Sequence, residues 1–578
     1  MMEGAPVVEG ARGVPDGMPV GTPHPAVEIS PRARFEVLGA ILLALLLGAL
    51  DQTIVGTALP RIVTDLQGND LYTWVVTIYL LTSTISVPFY GKLSDYFGRK
   101  PLLIFGIVVF LVGSALSGVS QNMTELILFR GIQGIGAGSL FPISLAVIGD
   151  LFTPAERGKY QGLFGAVFGI AALIGPFLGG VITDNVGWHW IFYINIPVGF
   201  VSLFVVARVL PSLTRPKHAL NLDWIGAAVF VAAMIPLLVG LTNKQTADWA
   251  TPEVGGLLLI AAVLIPVFLF IESRVLEPIV PLNLWRDRTY AGSLVATFFA
   301  AFGFFSATIF LPRFYQVVQG DSATVSGWEL IPLLVGVIGA SIISGQIVAR
   351  TGKYKALLLT SIALVGIGSL LFTNLAYNTD PWVIRFWQFV LGLGIGPTLA
   401  VFTIVIQNAV PFSKLGVATS NLTFFRQIGG IVGLSIAGSY FGGQLQERIP
   451  QRLLANGVPQ QMVAGFQGGT FDVNSVVGVG GNLGQSVLAQ VPAAFRAQVE
   501  PLVPKIVTSI YESIATAIGQ IFWFGLGTAI IAFLAVLVIR ELPLRSSLGP
   551  ARGEALGAHA PGRPGTEGVA HTPALAGE

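Results

Sequence analysis

The sequence predicts an all-α integral membrane protein of fourteen spans, built as two six-helix halves with two further helices inserted between them. Three observations predict it. The 578 residues are 53% hydrophobic and only 11% charged, whereas soluble domains carry about 25% charged residues. Basic residues fall in alternate connections between apolar runs. Short motifs of the first half also recur in the second at a nearly constant offset.

Composition excludes several classes of function. With no cysteine there is no disulfide, thiolate metal site or cysteine nucleophile. Five histidines without an HExxH pairing speak against a metalloenzyme. No intramembrane His/Cys/Asp/Glu cluster supports catalysis, so neither an enzyme nor a cofactor is expected. The net charge of +2 is segregated by loop rather than pooled, which leaves nucleic acid without a binding patch.

Residues 1–34, rich in Pro, Gly and Val, read as a disordered cytoplasmic tail without the pattern of a signal peptide. About 20 apolar residues cross a bilayer. That criterion places spans at about 35–58, 72–91, 101–120, 125–148, 158–182, 190–210, 222–243, 254–272, 290–316, 326–349, 355–377, 381–408, 414–442 and 512–540. The charged connections hold Arg32 and Arg34, then Lys92, Arg99 and Lys100, then Arg157 and Lys159, and so on to Arg540 and Arg545. The loops between hold almost none beyond Arg61 and Lys244. Positive-inside bias then puts both termini in the cytoplasm and requires an even number of spans. The expected location is the plasma (inner) membrane.

Internal repetition sets the division. Thr57-Ala-Leu-Pro-Arg61 returns as Ile309-Phe-Leu-Pro-Arg313. The charged turn Gly91–Pro101 returns as Gly345–Lys355, with Gly91, Gly98 and Arg99 matching Gly345, Gly352 and Lys353. Gly134, Gly136 and Gly138 match Gly392, Gly394 and Gly396, while Gly158 and Gly175 match Gly416 and Gly433. The predicted domains are therefore residues 35–212, two inserted helices over 213–285, and a second half over 286–545, followed by a second disordered tail over 546–578. A parallel repeat of this kind is a transporter plan. Within the second half, 444–504 reads as a long external connection. It could engage an external partner, or carry amphipathic helices near Leu445–Leu454 and Ala493–Ile506, or be a solvated spacer.

Asp51 is the most informative residue, an acid in the middle of the first span. On insertion scales it costs about 2.5–3.5 kcal/mol, so it should face a cavity or a partner. At 1.5 Å per residue, Asp51 and Arg130 both lie roughly 8–10 Å below the outer ends of their helices and could pair. Such a pair reads as a proton site with its counterion, or as a fixed ion pair. The glycines after Arg130 permit close helix approach and lie inside a span, so they are no nucleotide loop. Span five carries Gly175, Pro176, Gly179 and Gly180, a kink with one bare face, suited to a seal or to static packing. In the charged turn, Gly91 permits close contact, Asp95 can accept from backbone N–H groups at a helix start, and Arg99 can pair with it. With Gly98 and Lys100 these form a candidate conformational latch, or only a topology anchor. Trp74, Tyr79, Gln133, Phe305, Trp328 and Arg426 are candidates to line a central cavity. Glu329 is either a second proton site or an interfacial acid.

These motifs resemble those of the fourteen-span drug:proton antiporters of the major facilitator superfamily, over roughly residues 35–443 plus the last span. Gly91–Pro101 resembles the loop 2–3 signature, Leu126–Gly138 the span-four motif, and Gly175-Pro176-x-x-Gly179-Gly180 the antiporter motif. Leu50–Pro60 resembles the first-span signature. The chain departs from the family at Ala171 and Gly56, where glycine and asparagine are usual. Ala349 stands where the first copy of the turn has Asp95. The resemblance implies the major facilitator fold and multidrug efflux by alternating access, linked to antibiotic resistance. Small hydrophobic or cationic molecules would exchange for protons within membrane lipids, and the proton gradient rather than a cofactor would drive the exchange. It implies Asp51 as proton site, Arg130 as its partner and span five as the antiport element. Export of a specific lipid, siderophore or peptide is the alternative within the fold. A non-transporting receptor or membrane enzyme is the alternative outside it.

Overall fold

A computed structural model describes residues 31–67, 71–211, 223–244, 247–275, 277–460, 463, 483–490 and 496–544. All regular structure among them is helical. The first half comprises α1 (Pro31–Asp65), α2 (Tyr72–Phe97), α3 (Arg99–Val119), α4 (Met123–Leu151), α5 (Pro154–Asn185), and the broken sixth span α6 (Trp190–Tyr193) and α7 (Asn195–Val209). The inserted pair is α8 (Trp224–Asn243) and α9 (Leu257–Glu272). The second half comprises α10 (Arg288–Val317), α11 (Ala323–Trp328), α12 (Ile331–Thr351), α13 (Lys355–Phe372), α14 (Pro381–Ala409) and α15 (Leu415–Ala455). It closes with α16 (Leu483–Gln490), α17 (Arg496–Val499) and α18 (Val503–Val538).

Thirteen helical stretches among the described residues are long and apolar enough to cross a membrane. The fourteenth, α15, is richer in glycine and polar residues, yet its 41 residues pack along α2, α10 and α18 in the interior. Among the described residues fourteen helical stretches therefore form the bundle, the number expected.

Two boundaries differ from expectation. Helix α1 begins at Pro31, inside the stretch assigned to the disordered 1–34 tail. Helix α15 continues through Gln444 to Ala455, so the external connection begins later than 444. Its extension buries Leu445, Ile449 and Leu453, one face of the helix, against Ile506 and Ile510 of the lengthened α18. Asn456 Nδ2 donates to Ser509 Oγ (2.8 Å), and Arg452 meets Glu512 at 3.3 Å. The amphipathic stretch near Leu445–Leu454 is thus helical, as a continuation of a span. Of Ala493–Ile506, the described part holds α17 and the start of α18. The 546–578 tail and most of 461–495 lie outside the described residues.

The repeated glycines of α4 and α14 have one job in both halves. Each would carry a Cβ into a neighbour's backbone: Gly134 at Tyr79 of α2 and Gly136 at Phe110 of α3, then Gly392 at Leu333 of α12 and Gly394 at Val365 of α13. Helices α4 and α14 are thereby wedged between the second and third spans of their halves. The inserted pair bridges the halves. Phe230 of α8 stacks among Phe89 of α2, Phe268 of α9 and Phe424 of α15, with ring centroids 5.2–5.7 Å apart.

The halves also meet directly at the end that carries the basic connections, hereafter the basic end. Helix α5 lies along α12 there, with Gly158 and Gly345 backbone to backbone. Gly158→Leu must overlap the Gly345 backbone, and overpacking costs about 1–3 kcal/mol. The population closed at this end is expected to fall about tenfold or more, read by pulsed spin-label distances across the basic end. Gly527→Leu, which points into open space, is expected to leave those distances unchanged.

Candidate functional site

Asp51 and Arg130 pair, fully buried, at 2.7 Å between Arg130 Nη1 and Asp51 Oδ2. Two amides complete the carboxylate shell. Gln133 Nε2 donates to Asp51 Oδ1 at 2.8 Å, and Asn195 Nδ2 donates to the same oxygen at 2.9 Å. Arg130 Nη1 also donates to Gln133 Oε1 (2.7 Å), and its guanidinium lies 4.1 Å from the Tyr79 ring centroid. Asn195, the first residue of α7, is held in turn by Ser114 Oγ of α3 at 3.1 Å. Five helices therefore converge on one carboxylate.

The donor set determines what this cluster can do. Among the described residues every hydrogen-bond partner of Asp51 is a donor, whereas a protonated carboxyl presents a hydrogen of its own. Oδ1 accepts two hydrogen bonds, so protonation there must displace an amide or turn it, while Oδ2 accepts only from Arg130. The unpartnered Asn195 Oδ1 is an acceptor that such a turn would present. Gln133 and Tyr79, expected at a cavity wall, are instead buried members of this cluster. Asn195 and Ser114 are absent from the residues the sequence singles out. The signal for Asn195 is a lone amide within the apolar run Ile194–Pro197.

The charged turn forms a second buried ionic cluster. Arg99 Nη2 meets Asp95 Oδ1 at 2.7 Å, and Arg99 Nε meets Asp150 Oδ2 of α4 at 2.8 Å. Asp95 also accepts from Gly416 N (3.2 Å) and Val417 N (3.0 Å), the first turn of α15 in the opposite half. That helix has no side-chain cap of its own, so Asp95 caps it from across the seam and places a negative charge at its N-terminus. Gly91 lets α2 approach close enough, because a Cβ there would strike Ser420 and the Gly416 carbonyl. Gly98 adopts φ 89°, which only glycine reaches easily. Lys100 is half-buried and stands outside the cluster. In the repeat, Ala349 offers no carboxylate, and α5 is capped locally by Thr153 and Glu156. Nearby, Gln407 Nε2 of α14 donates to Leu145 O of α4 (3.1 Å), and Gln161 of α5 donates to Gln407 Oε1 (3.1 Å).

The glycines of span five face a different partner from the one a seal between halves would need. Gly175 lies against Thr53, and Gly179 against Thr57 and Ile54, all on α1 of the same half. Thr53 Oγ1 donates to Ala171 O at 2.9 Å. The α5 backbone stays helical through Pro176 and Gly180. The close approach to the other half is made lower on α5, by Gly158 and Gly162 against Gly345 and Ile342.

The remaining cavity candidates are scattered. Trp74 is half-buried near the start of α2, and Trp328 is exposed at the end of α11. Phe305 packs against Gly430. Arg426 is half-buried on α15 and faces the N-terminal half. Glu329 is paired bidentately with Arg385 at 2.7 and 3.0 Å. Asp321, in the connection before α11, is held above the usual carboxylate range by burial and then by the Glu329 charge.

A membrane bundle of two repeated six-helix halves, joined through Asp95 and enclosing a sealed ion pair, is the build of a secondary transporter. Residues 41–434 match the family profile of the Major Facilitator Superfamily, and the chain belongs to that family. It is 37% identical over 519 residues to the multidrug transporter protein MdtP of Bacillus subtilis (strain 168), covering 89% of this chain and 94% of that protein. It is 38% identical over 408 residues to multidrug resistance protein 3 of the same organism, covering 70% and 79%. The human organic anion transporter MFSD10 (TETRAN) superposes with a TM-score of 0.51 at 15% identity, covering 76% of this chain and 98% of that one. That likeness shows the fold alone. The protein is a multi-pass membrane transporter of small molecules, not an enzyme.

Proposed function

We propose that this transporter exports amphipathic compounds in exchange for protons, by alternating access, from the plasma membrane with its basic end and both termini in the cytoplasm. The observation that supports this reading most is the sealed Asp51 cluster, whose three donors all favour the ionised carboxylate and are weakened when it is protonated. The described state is joined at the basic end through Asp95 and the start of α15. A proton reaching Asp51 from the opposite side would neutralise it and leave Arg130 without its counterion. The donors on α4 and α7 would then shift relative to α1, and the first half would release its hold on the second. Opening at the basic end would let the proton leave and the substrate enter. The names of the multidrug relatives support the substrate class.

The test uses proteoliposomes with an acidic lumen and a lumenal pH dye. Adding ethidium, or the permanent anion anilinonaphthalene sulfonate, is expected to raise lumenal pH as substrate enters and protons leave. Substrate uptake without any proton movement would overturn the coupled reading.

A further inference from the structure

Arg426 stands apart from every other buried basic group described above. Arg99 and Arg130 each hold carboxylates, and Arg157 donates to two backbone carbonyls. Arg426 is half-buried in the first third of α15, its Nη2 is enclosed without a hydrogen-bond partner, and no carboxylate among the described residues pairs with it. Its aromatic neighbour is the Phe141 ring of α4, 6.0 Å from the guanidinium carbon, at the limit of a useful cation–π contact. An arginine cannot shed its charge, and a charge within a membrane bundle is costly unless something answers it. Here the protein leaves the answer open.

The surroundings define what would fit. Arg426 projects from the C-terminal half toward the N-terminal half, at the seam where alternating access must admit a substrate. Phe141 continues into an aromatic wall with Phe164 and Phe168 of α5, at centroid separations of 6.2 and 5.5 Å. Beside Arg426 on the chain, the Gln427 Oε1 is also buried without a partner. Along α4, Phe141 is eleven residues from Arg130, roughly 16 Å away, so this place is separate from the proton cluster.

We propose that Arg426 binds the anionic group of an amphipathic ligand, a sulfonate or carboxylate whose apolar body lies against Phe141 and Phe168. Resting on the exporter reading, this adds amphipathic anions to its substrate class, since they would meet a counterion here. An anionic lipid headgroup carries the same chemistry.

Equilibrium binding of radiolabelled anilinonaphthalene sulfonate and of its uncharged sulfonamide is measured by scintillation proximity, on purified protein in uncharged detergent. The sulfonate is expected to bind about tenfold more tightly than the sulfonamide, as a charge-assisted contact implies. Arg426→Gln is expected to erase that difference without changing sulfonamide binding, and Arg426→Lys to restore part of it. Equal binding of both probes to the natural protein, or an undiminished preference in Arg426→Gln, would overturn the proposal. Retained sulfonamide binding shows that the variant is folded. Displacement by phosphatidylglycerol but not phosphatidylcholine, lost in Arg426→Gln, assigns the site to lipid; no displacement assigns it to free substrate. Either supports an anion site. No gradient is involved, so anion binding without proton transport sinks only the coupled reading, and proton transport without a sulfonate preference in binding sinks only this one.

Discussion

Asp51→Asn is expected to abolish substrate-driven proton movement while substrate still exchanges across the membrane. Asparagine keeps the shape of the carboxylate, and its Oδ1 can still accept from Gln133 or Asn195. It cannot take up or lose a proton, and Arg130 loses its counterion permanently. An uncompensated buried charge costs about 3–5 kcal/mol. Part of that is offset because Arg130 retains the Gln133 carbonyl oxygen and the Tyr79 ring face. In the proposed cycle the variant resembles the protonated state and should stay there. Uptake recorded beside lumenal pH should therefore show exchange with a flat pH dependence. Asp51→Glu retains an ionisable group and should retain some coupling. Full proton movement in Asp51→Asn would place the coupling group elsewhere, with Glu329 the next carboxylate to examine.

Arg99→Ala is expected to open the basic end. Both carboxylates it holds are nearly enclosed, with Asp150 side-chain exposure at 1% and Asp95 at 10%. Removing the guanidinium leaves two like charges facing each other with no cation between them, a loss of about 3–5 kcal/mol confined to the closed state. At about 1.4 kcal/mol per tenfold, the closed population falls at least a hundredfold. The chain has no cysteine, so spin labels at Phe97→Cys and Ser413→Cys, both exposed beside the contact, report it without interference. The distance distribution should move to longer values in Arg99→Ala. Arg99→Lys should recover little, since one ammonium cannot reproduce the fork between Asp95 and Asp150. An unchanged distribution would mean that the turn is a topology anchor only.

What can be read from sequence follows from what helical periodicity reports. Depth is a matter of counting along a helix, so residue numbers alone set Asp51 and Arg130 level. The charged turn and its copy are visible because the chain repeats itself. Which face meets which neighbour is a different quantity, fixed by packing between segments distant in sequence. That is why Asp150, fifty-one residues from Arg99, does not stand out in the sequence as the second carboxylate of that ionic cluster. It is also why the sequence points Asp95 to a helix start in general, not to α15 across the seam. Span five shows the same gap: its Gly175 and Gly179 bed against α1, while Gly158 and Gly162 make the contact between halves. The spacing of those four glycines is similar, and only the partner distinguishes them. The extension of α15 is hidden for another reason. Its buried face depends on a complementary face at the start of α18, more than fifty residues later.

The central claim is that substrate and proton compete through Asp51. Its most direct test needs no membrane. Substrate is added to purified protein in weakly buffered detergent solution containing a pH indicator, with binding measured in parallel. The account predicts proton release on substrate binding to the natural protein, and none from Asp51→Asn at equal occupancy. Equal release from both, or binding to the natural protein with no release at any pH, would contradict it.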